Sequence, residues 1–308
     1  MALPLTGNIT LLDIQNEFGQ GSLAAASTPA GLDPLPTSMR DFMGLSAVTA
    51  SVLLDRSSGS GTFTIPAGVT SIWVLVVGGG AGGGGARAGT GPAGGYLGEA
   101  GGFSANAGGG GGAGEVSSVS AFAVVPGQTI TWQVGAGGAG GIGSGLTGSG
   151  GTTFALYNGP GGGTILADGG TAGNAGLLLN TAGGSSTSRG NGGDCGNGLY
   201  FGGQGSNYEW GIDSRAGGGG GGSSGDGGSG KTAYPGAGGA GTTVSLTGLT
   251  ETGPYGVGGA GGYDAKGSGT DASFYGNGGQ GGGAVCFWTA SAQGIGGDGY
   301  SGRIWIYG

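Results

Sequence analysis

GTFTIPAGVTSIWVLVVGGGAGGGG, residues 61–85, changes character partway along. Thr62 to Ile65 and Ser71 to Val77 are dense in β-branched and aromatic residues, and Pro66-Ala67-Gly68 lies between them. That pattern specifies two strands joined by a turn. From Gly78 onward side chains all but vanish, and with them the capacity to bury apolar area. What such backbone does next decides the fold.

The same device recurs downstream. In EVSSVSAFAVVPGQTITWQVG, residues 115–135, Val116, Val119 and Phe122 lead to a Pro126-Gly127 turn and a strand over Thr129 to Val134. Glycine at the third turn position supplies the positive φ of a type II turn. GTTFALYNGPGGGTILADGG, residues 151–170, reads as a hairpin across Asn158 to Gly163. ASVLLD at 50–55 is a further strand, and the C-terminal stretch offers strands near Ala284 to Thr289 and over Arg303 to Tyr307. Strands from both ends of the domain can pair and close two sheets on each other. The expectation is a mainly β fold, an antiparallel β-sandwich over 49–170 and 283–308. Trp73, Trp132, Phe154, Phe287 and Trp305 are its candidate core.

Residues 171–282 are nearly strand-free apart from TTVSL at 242–246. Glycine runs recur at 217–222, 236–241, 256–262 and 276–283, and similar runs follow the early strands at 78–85, 108–112 and 135–143; there is no strict repeat period, so a solenoid of fixed register is not supported. Glycine can adopt a polyproline-II-type helix with three residues per turn, its N–H and C=O groups pointing outward. Neighbouring runs can then approach until those groups bond, helped by Cα–H···O contacts. Ordering each glycine is costly, so a lone run loses and only a packed set can win. The alternative is flexible linker. The runs are Gly and Ala with hardly any solubilising residue, which favours a polyglycine-II-like packed region over 171–282, with the loops between runs projecting from one end.

Composition narrows the function. The chain has 308 residues, 93 of them glycine, no histidine, a net charge of −8 and 8% charged residues, against about 25% in ordinary domains. Eight scattered Lys and Arg argue against a nucleic-acid partner. The longest apolar run is far too short to cross a membrane, so no membrane insertion is expected. MALPLTGNIT carries no secretory signal. Cys195 and Cys286 could form one bridge, or stand as two buried thiols. Lacking histidine and a cysteine cluster, the chain offers no zinc site, and no cofactor is implied.

One motif invites enzymology. Gly225, Gly230, Lys231 and Thr232 fit G-x-x-x-x-G-K-T, the phosphate-binding loop. Such a loop needs a strand before it and a helix after it. Here polyglycine precedes it, and Pro235 with more glycine follows. In so glycine-rich a chain the spacing arises by composition. Asp194, Asp264 and Asp298 sit in Asp-Gly contexts that echo calcium-binding nonapeptides, but the tandem spacing is missing. Nor is there an imidazole base for a Ser-His or Cys-His nucleophile. No enzyme activity is expected.

Residues 1–48 form a separate leader. Thr10 to Gly19 and Thr37 to Gly44 carry two short helical signals, with Leu11, Ile14 and Phe18 on one face and Phe42 in the second. Helices this short need a surface to pack on, either the main domain or a partner chain. A linker-like AAASTPAGLDPLP separates them.

The stretch from 61 to 85, with VVPGQTITWQVGAGGAGG and the closing GYSGRIWIYG, resembles the glycine-rich domain of tail-fibre and tail-tip proteins of tailed bacteriophages. The likeness covers roughly 55–170 and 283–308. NITLLDIQNEFG and SMRDFMG resemble the leader by which such proteins anchor in the virion. The glycine-rich middle is similar in kind to phage adhesins that carry receptor-binding loops on packed glycine helices. The resemblance implies a structural virion protein, an adhesin of the tail fibre or tip, made in the host cytoplasm and released by lysis. Its leader (Leu11, Ile14, Phe18, Phe42) would bind other tail proteins, and its loops a host-surface glycan or outer-membrane protein. A homotrimer follows by analogy with fibres. The alternative is an architectural head or tail component without receptor contact. Aromatic loops are the candidate receptor-binding sites, since Tyr and Trp stack on sugars at small entropic cost. They hold Tyr200, Phe201, Tyr208 and Trp210, then Tyr255, Tyr263, Phe274 and Tyr275. Alternatively, these rings clip the glycine runs together.

Overall fold

The computed structural model describes residues 51–86, 107–143, 147–176, 190–205, 216–231, 234–244, 253–263, 268–282, 285–286, 291–292 and 294–308. The expected leader helices and Phe287 lie outside them. All but Ser51 belong to one unit, Val52–Ser245 with Glu251–Gly308. The strands are β1 Val52–Arg56, β2 Ser60–Thr64, β3 Ser71–Val77, β4 Val116–Ala123, β5 Thr129–Gln133, β6 Thr153–Tyr157, β7 Thr164–Ala167, β8 Val285–Cys286, β9 Ser291–Ala292 and β10 Arg303–Tyr307. The described residues contain no helix.

Two antiparallel four-stranded sheets, ordered β1-β10-β3-β4 and β2-β5-β6-β7, face each other; β8 and β9 pair separately. The turns after β2 and β4 place Gly68 and Gly127 at φ of 88° and 81°, conformations that residues with a Cβ rarely adopt. In β5, Ile130 and Trp132 point inward while Thr129, Thr131 and Gln133 point out, the period-two pattern of a half-buried strand. The shared core joins Leu54, Ile72, Val74, Val76, Ile304 and Ile306 of one sheet to Ile130, Trp132, Ala155, Tyr157 and Ala167 of the other. Burying each of the larger aliphatic side chains stabilises the fold by about 1.5–3 kcal/mol.

The expected core holds in part. Trp132 belongs to it, but Trp73 and Phe154 are only half-buried. Trp305 is buried on the opposite face of its sheet, where its ring meets Tyr255 and Tyr275. Leu75 and Val77 are fully buried on that face too, which is why β3 reads as a continuous apolar run rather than an alternating one.

Beyond the strands, glycine segments bond with a period of three. In 107–115, Gly108, Gly111 and Gly114 donate N–H groups to the carbonyls of Gly282, Gly279 and Gly276. Gly109 and Gly112 donate to Asn174 and Thr171, and Gly110 and Ala113 to Gly218 and Gly221. The carbonyls of Gly108 and Gly111 accept from Gly262 and Gly259, those of Gly109 and Gly112 from Gly84 and Ala81, and those of Gly110 and Ala113 from Gly193 and Gly196. All these bonds measure 2.7–3.0 Å. The partner changes at each residue and returns at every third, so one segment bonds to six neighbours, where a strand bonds to two. Three is also the period of the polyproline-II-type helix. The six neighbours close a ring: 78–84, 168–174, 190–196, 216–222, 256–262 and 276–282 bond in turn, each to the next.

Most positions in such packing admit only glycine, although Ala81 and Ala113 are buried within it. A Cβ on Gly111 would overlap the Ala81 carbonyl, and one on Gly110 the Gly259 carbonyl. The glycine bundle is not confined to 171–282, as the sequence suggested. The segments 78–86, 107–115, 135–143, 147–152 and 294–302 belong to it and continue directly from or into β3, β4, β5, β6 and β10.

Candidate functional site

The hydrogen-bond registers fix the direction of each segment. The chain runs out from the sandwich along 78–86, 135–143, 168–176, 200–205, 225–231, 255–263 and 277–282. It runs back along 107–115, 147–152, 190–196, 216–222, 234–242, 268–276 and 294–302. Each outward segment is followed by a returning one, so the bundle has a near end, against the sandwich, and a far end. The crossings 86 to 107, 176 to 190, 205 to 216 and 282 to 294 all leave from the far end, as does the tight turn between Lys231 and Tyr234.

These directions sort the candidate binding residues. Tyr208 and Trp210 lie outside the described residues. Tyr263 closes an outward segment at the far end and is half-buried. Tyr200 and Phe201 sit at the near end, beside a tight turn. There the Cys195 N–H donates to the Tyr200 carbonyl at 2.9 Å, and Gly198 adopts φ 65°. Tyr200 is half-buried, whereas Phe201 is 57% exposed.

Tyr255, Phe274 and Tyr275 pack against one another. Tyr255 is 0% exposed, stacks on Phe274 at 5.3 Å and meets Trp305 edge-on at 5.4 Å. Tyr275 contacts Phe274, Tyr300 and Trp305 at centroid separations of 5.4, 5.4 and 6.1 Å. These rings cover the second face of the β1-β10-β3-β4 sheet where the bundle meets it, so for them the clipping role is the one observed. Burial pushes the Tyr307 hydroxyl on this face up to about 12; the Asp55 carboxylate and Tyr255 add to the rise and Arg303 opposes it.

Arg303 ties the same junction electrostatically. Its guanidinium lies 4.2 Å from the Tyr275 centroid and 4.4 Å from that of Trp305, and its Nε and Nη2 each donate to an Asp55 carboxylate oxygen at 2.8 Å. A planar cation suits both the paired oxygens and the two ring faces.

The residue that sequence reasoning missed is Tyr234, 72% exposed at the far end. It exchanges backbone hydrogen bonds of 2.8 and 2.9 Å with Lys231, which closes the turn and holds the ring out. The Gly261 N–H donates to the Gly236 carbonyl, and Tyr263 and Tyr234 each stand two residues beyond that bond on antiparallel segments. Among the described residues, exposed Lys231 and Tyr234 and half-buried Tyr263 therefore lie together at the far end.

The phosphate-loop letters do other work. Gly227, Gly228, Gly230 and Lys231 donate their N–H groups to the carbonyls of Phe201, Ala237, Gln204 and Tyr234. Asp194 and Asp298 likewise use their carboxylates as acceptors, for the N–H groups of Gly202 at 2.9 Å and Gly140 at 2.7 Å. Asp264 lies outside the described residues. No group of three or more metal-ligating side chains occurs among the described residues. Cys195 is a buried free thiol, so the bridge to Cys286 is not formed.

A family model described as a glycine-rich domain matches residues 56–308. No curated protein matches the chain.

Proposed function

The chain belongs to the glycine-rich domain family over residues 56–308, and on that premise we propose that it is a display scaffold, a structural virion protein of a tailed bacteriophage acting as a tail-fibre or tail-tip adhesin. The glycine segments act as polyglycine-II helices: a rigid, chemically inert body whose side-chain-bearing excursions do the recognising. The observation that carries this reading is the strict out-and-back alternation, which gathers long crossings at the end remote from the sandwich. Exposed tyrosine there suits stacking on a sugar face of a host glycan, or packing against an outer-membrane protein. Residues 1–48, with Leu11, Ile14, Phe18 and Phe42, would dock on other tail proteins.

The test is adsorption of particles to host cells. Deleting 206–215, or replacing Tyr234 and Tyr263 together by serine, should cut adsorption at least tenfold while particle yield and composition stay normal. Normal adsorption by both variants would reject the receptor-binding role. It would leave the architectural reading, which the packing of Tyr255, Phe274 and Tyr275 favours. A label on this chain would then lie away from any distal point of the particle.

A further inference from the structure

The bundle has edges, and an edge of a hydrogen-bonded array is a template for more of the same, as it is in sheets. Segment 234–242 forms one such edge. Its inner residues Gly236 and Gly239 donate to Gly217 and Gly220. The N–H groups of Ala237, Gly238, Ala240 and Gly241, and the carbonyl of Gly238, have no partner among the described residues. A glycine segment laid alongside would find donors repeating about every 9 Å along the axis, and the Gly238 carbonyl as an acceptor among them.

What stands in its way is the side-chain pattern. Tyr234, Ala237, Ala240 and Thr243 fall three apart and are all exposed. Segment 135–143 repeats the arrangement with Ala136, Ala139 and Ile142. Inside the bundle, a Cβ built on Gly238 or Gly239 would overlap a neighbouring carbonyl. The same Cβ pointing outward must keep any approaching backbone at a distance. Elsewhere the perimeter closes by a second device, in which Asp226 accepts the N–H of Phe201 at 2.8 Å and Asp271 that of Asp298 at 2.8 Å. These carboxylates occupy the place of a missing segment.

From these two devices we infer that the outward residue at every third position stops the bundle from growing, and that the blocked partner is the same edge of a second copy of this chain. Two copies meeting at residues 235–242 would exchange their unpaired N–H and C=O groups if no Cβ intervened. The inference does not depend on what the far end binds.

Sedimentation velocity of the full chain across a hundredfold range of concentration tests it. Ala237→Gly with Ala240→Gly should associate, at least doubling the mass found for wild type at high concentration. Ala237→Ser with Ala240→Ser retains the Cβ and should sediment as wild type. Should the first variant fail to fold, Ala136→Gly with Ala139→Gly opens the other edge and takes its place. A folded glycine variant that sediments as wild type would overturn the inference, as would a serine variant that associates as strongly as the glycine one.

Discussion

Replacing Gly111 by alanine is the sharpest test of the packing. A Cβ there would overlap the Ala81 carbonyl oxygen and approach Ala81 C at 2.7 Å and Gly82 C at 2.8 Å. All of these are backbone, so no side chain can swing aside. Relieving the overlap means moving 81–82. That segment is held by bonds from Ala81 N–H to the Gly112 carbonyl, from Gly279 N–H to the Ala81 carbonyl and from Gly82 N–H to the Gly148 carbonyl, at 2.9, 2.8 and 2.9 Å. A buried backbone group left unpaired costs about 1–3 kcal/mol. Even in the lower half of that range, the three bonds together are worth about 3–6 kcal/mol. Against a total stability of about 5–15 kcal/mol, the variant should melt on the order of 10 °C lower or not fold. Gly225→Ala is the matched control: its Cβ would find Ala240 N at 3.4 Å, an ordinary contact, and should be neutral or stabilising by up to about 1 kcal/mol. Urea unfolding followed by tryptophan fluorescence measures both. If the two variants unfold within about 1 kcal/mol of each other, the close-packed bundle is refuted.

Arg303→Lys should lose the paired bond to Asp55 and the two ring contacts, lowering stability by about 1–3 kcal/mol in thermal melts; an unchanged Tm would show the clamp to be idle. Because burial holds the Tyr307 proton up to about 12, the folded chain keeps it between about pH 10 and 12 while the unfolded chain releases it. Stability should therefore fall with rising pH across that window, by about 2 kcal/mol at pH 11.5, and Tyr307→Phe should remove that part of the slope in urea titrations. Burial, with the Glu115 carboxylate adding to it, also raises the Cys195 thiol above its ordinary range, against hydrogen bonds from the backbone at Asn197 and Gly196. A thiol reagent at pH 8 should label Cys195 only after denaturant is added; rapid labelling of the folded chain would contradict the burial.

The strands were legible because their signals are local. Ser71–Val77 and Arg303–Tyr307 stand where β-branched and aromatic residues cluster, and β6 and β7 flank the expected turn. The reach of the bundle was not, because a glycine run after a strand reads the same whether it ends the domain or extends it. The outward rows were visible in GAGGAG at 236–241, as alanine at every third residue, but excursions of differing length break the count between segments. The far-end group was legible in part. Tyr263 stands among other aromatic residues in the sequence, whereas Tyr234 stands alone two residues beyond the phosphate-loop letters, where nothing marks it out. Tyr255, Phe274 and Tyr275 show the opposite failure. Aromatic rings among glycines look free in a sequence, yet here Tyr255 and Tyr275 meet Trp305, some 30 residues or more away along the chain, and Phe274 packs on both.

Because the bundle's bonds lie across its long axis, they set how it answers a pull. Val52 and Tyr307 face each other at one edge of the sandwich, so tension between that edge and a ligand gripped at the opposite tip would run lengthwise along the glycine segments. Every crosswise bond on a segment would then be loaded in shear at once instead of parting one by one like a zip. A tether built this way stays stiff until it yields as a whole.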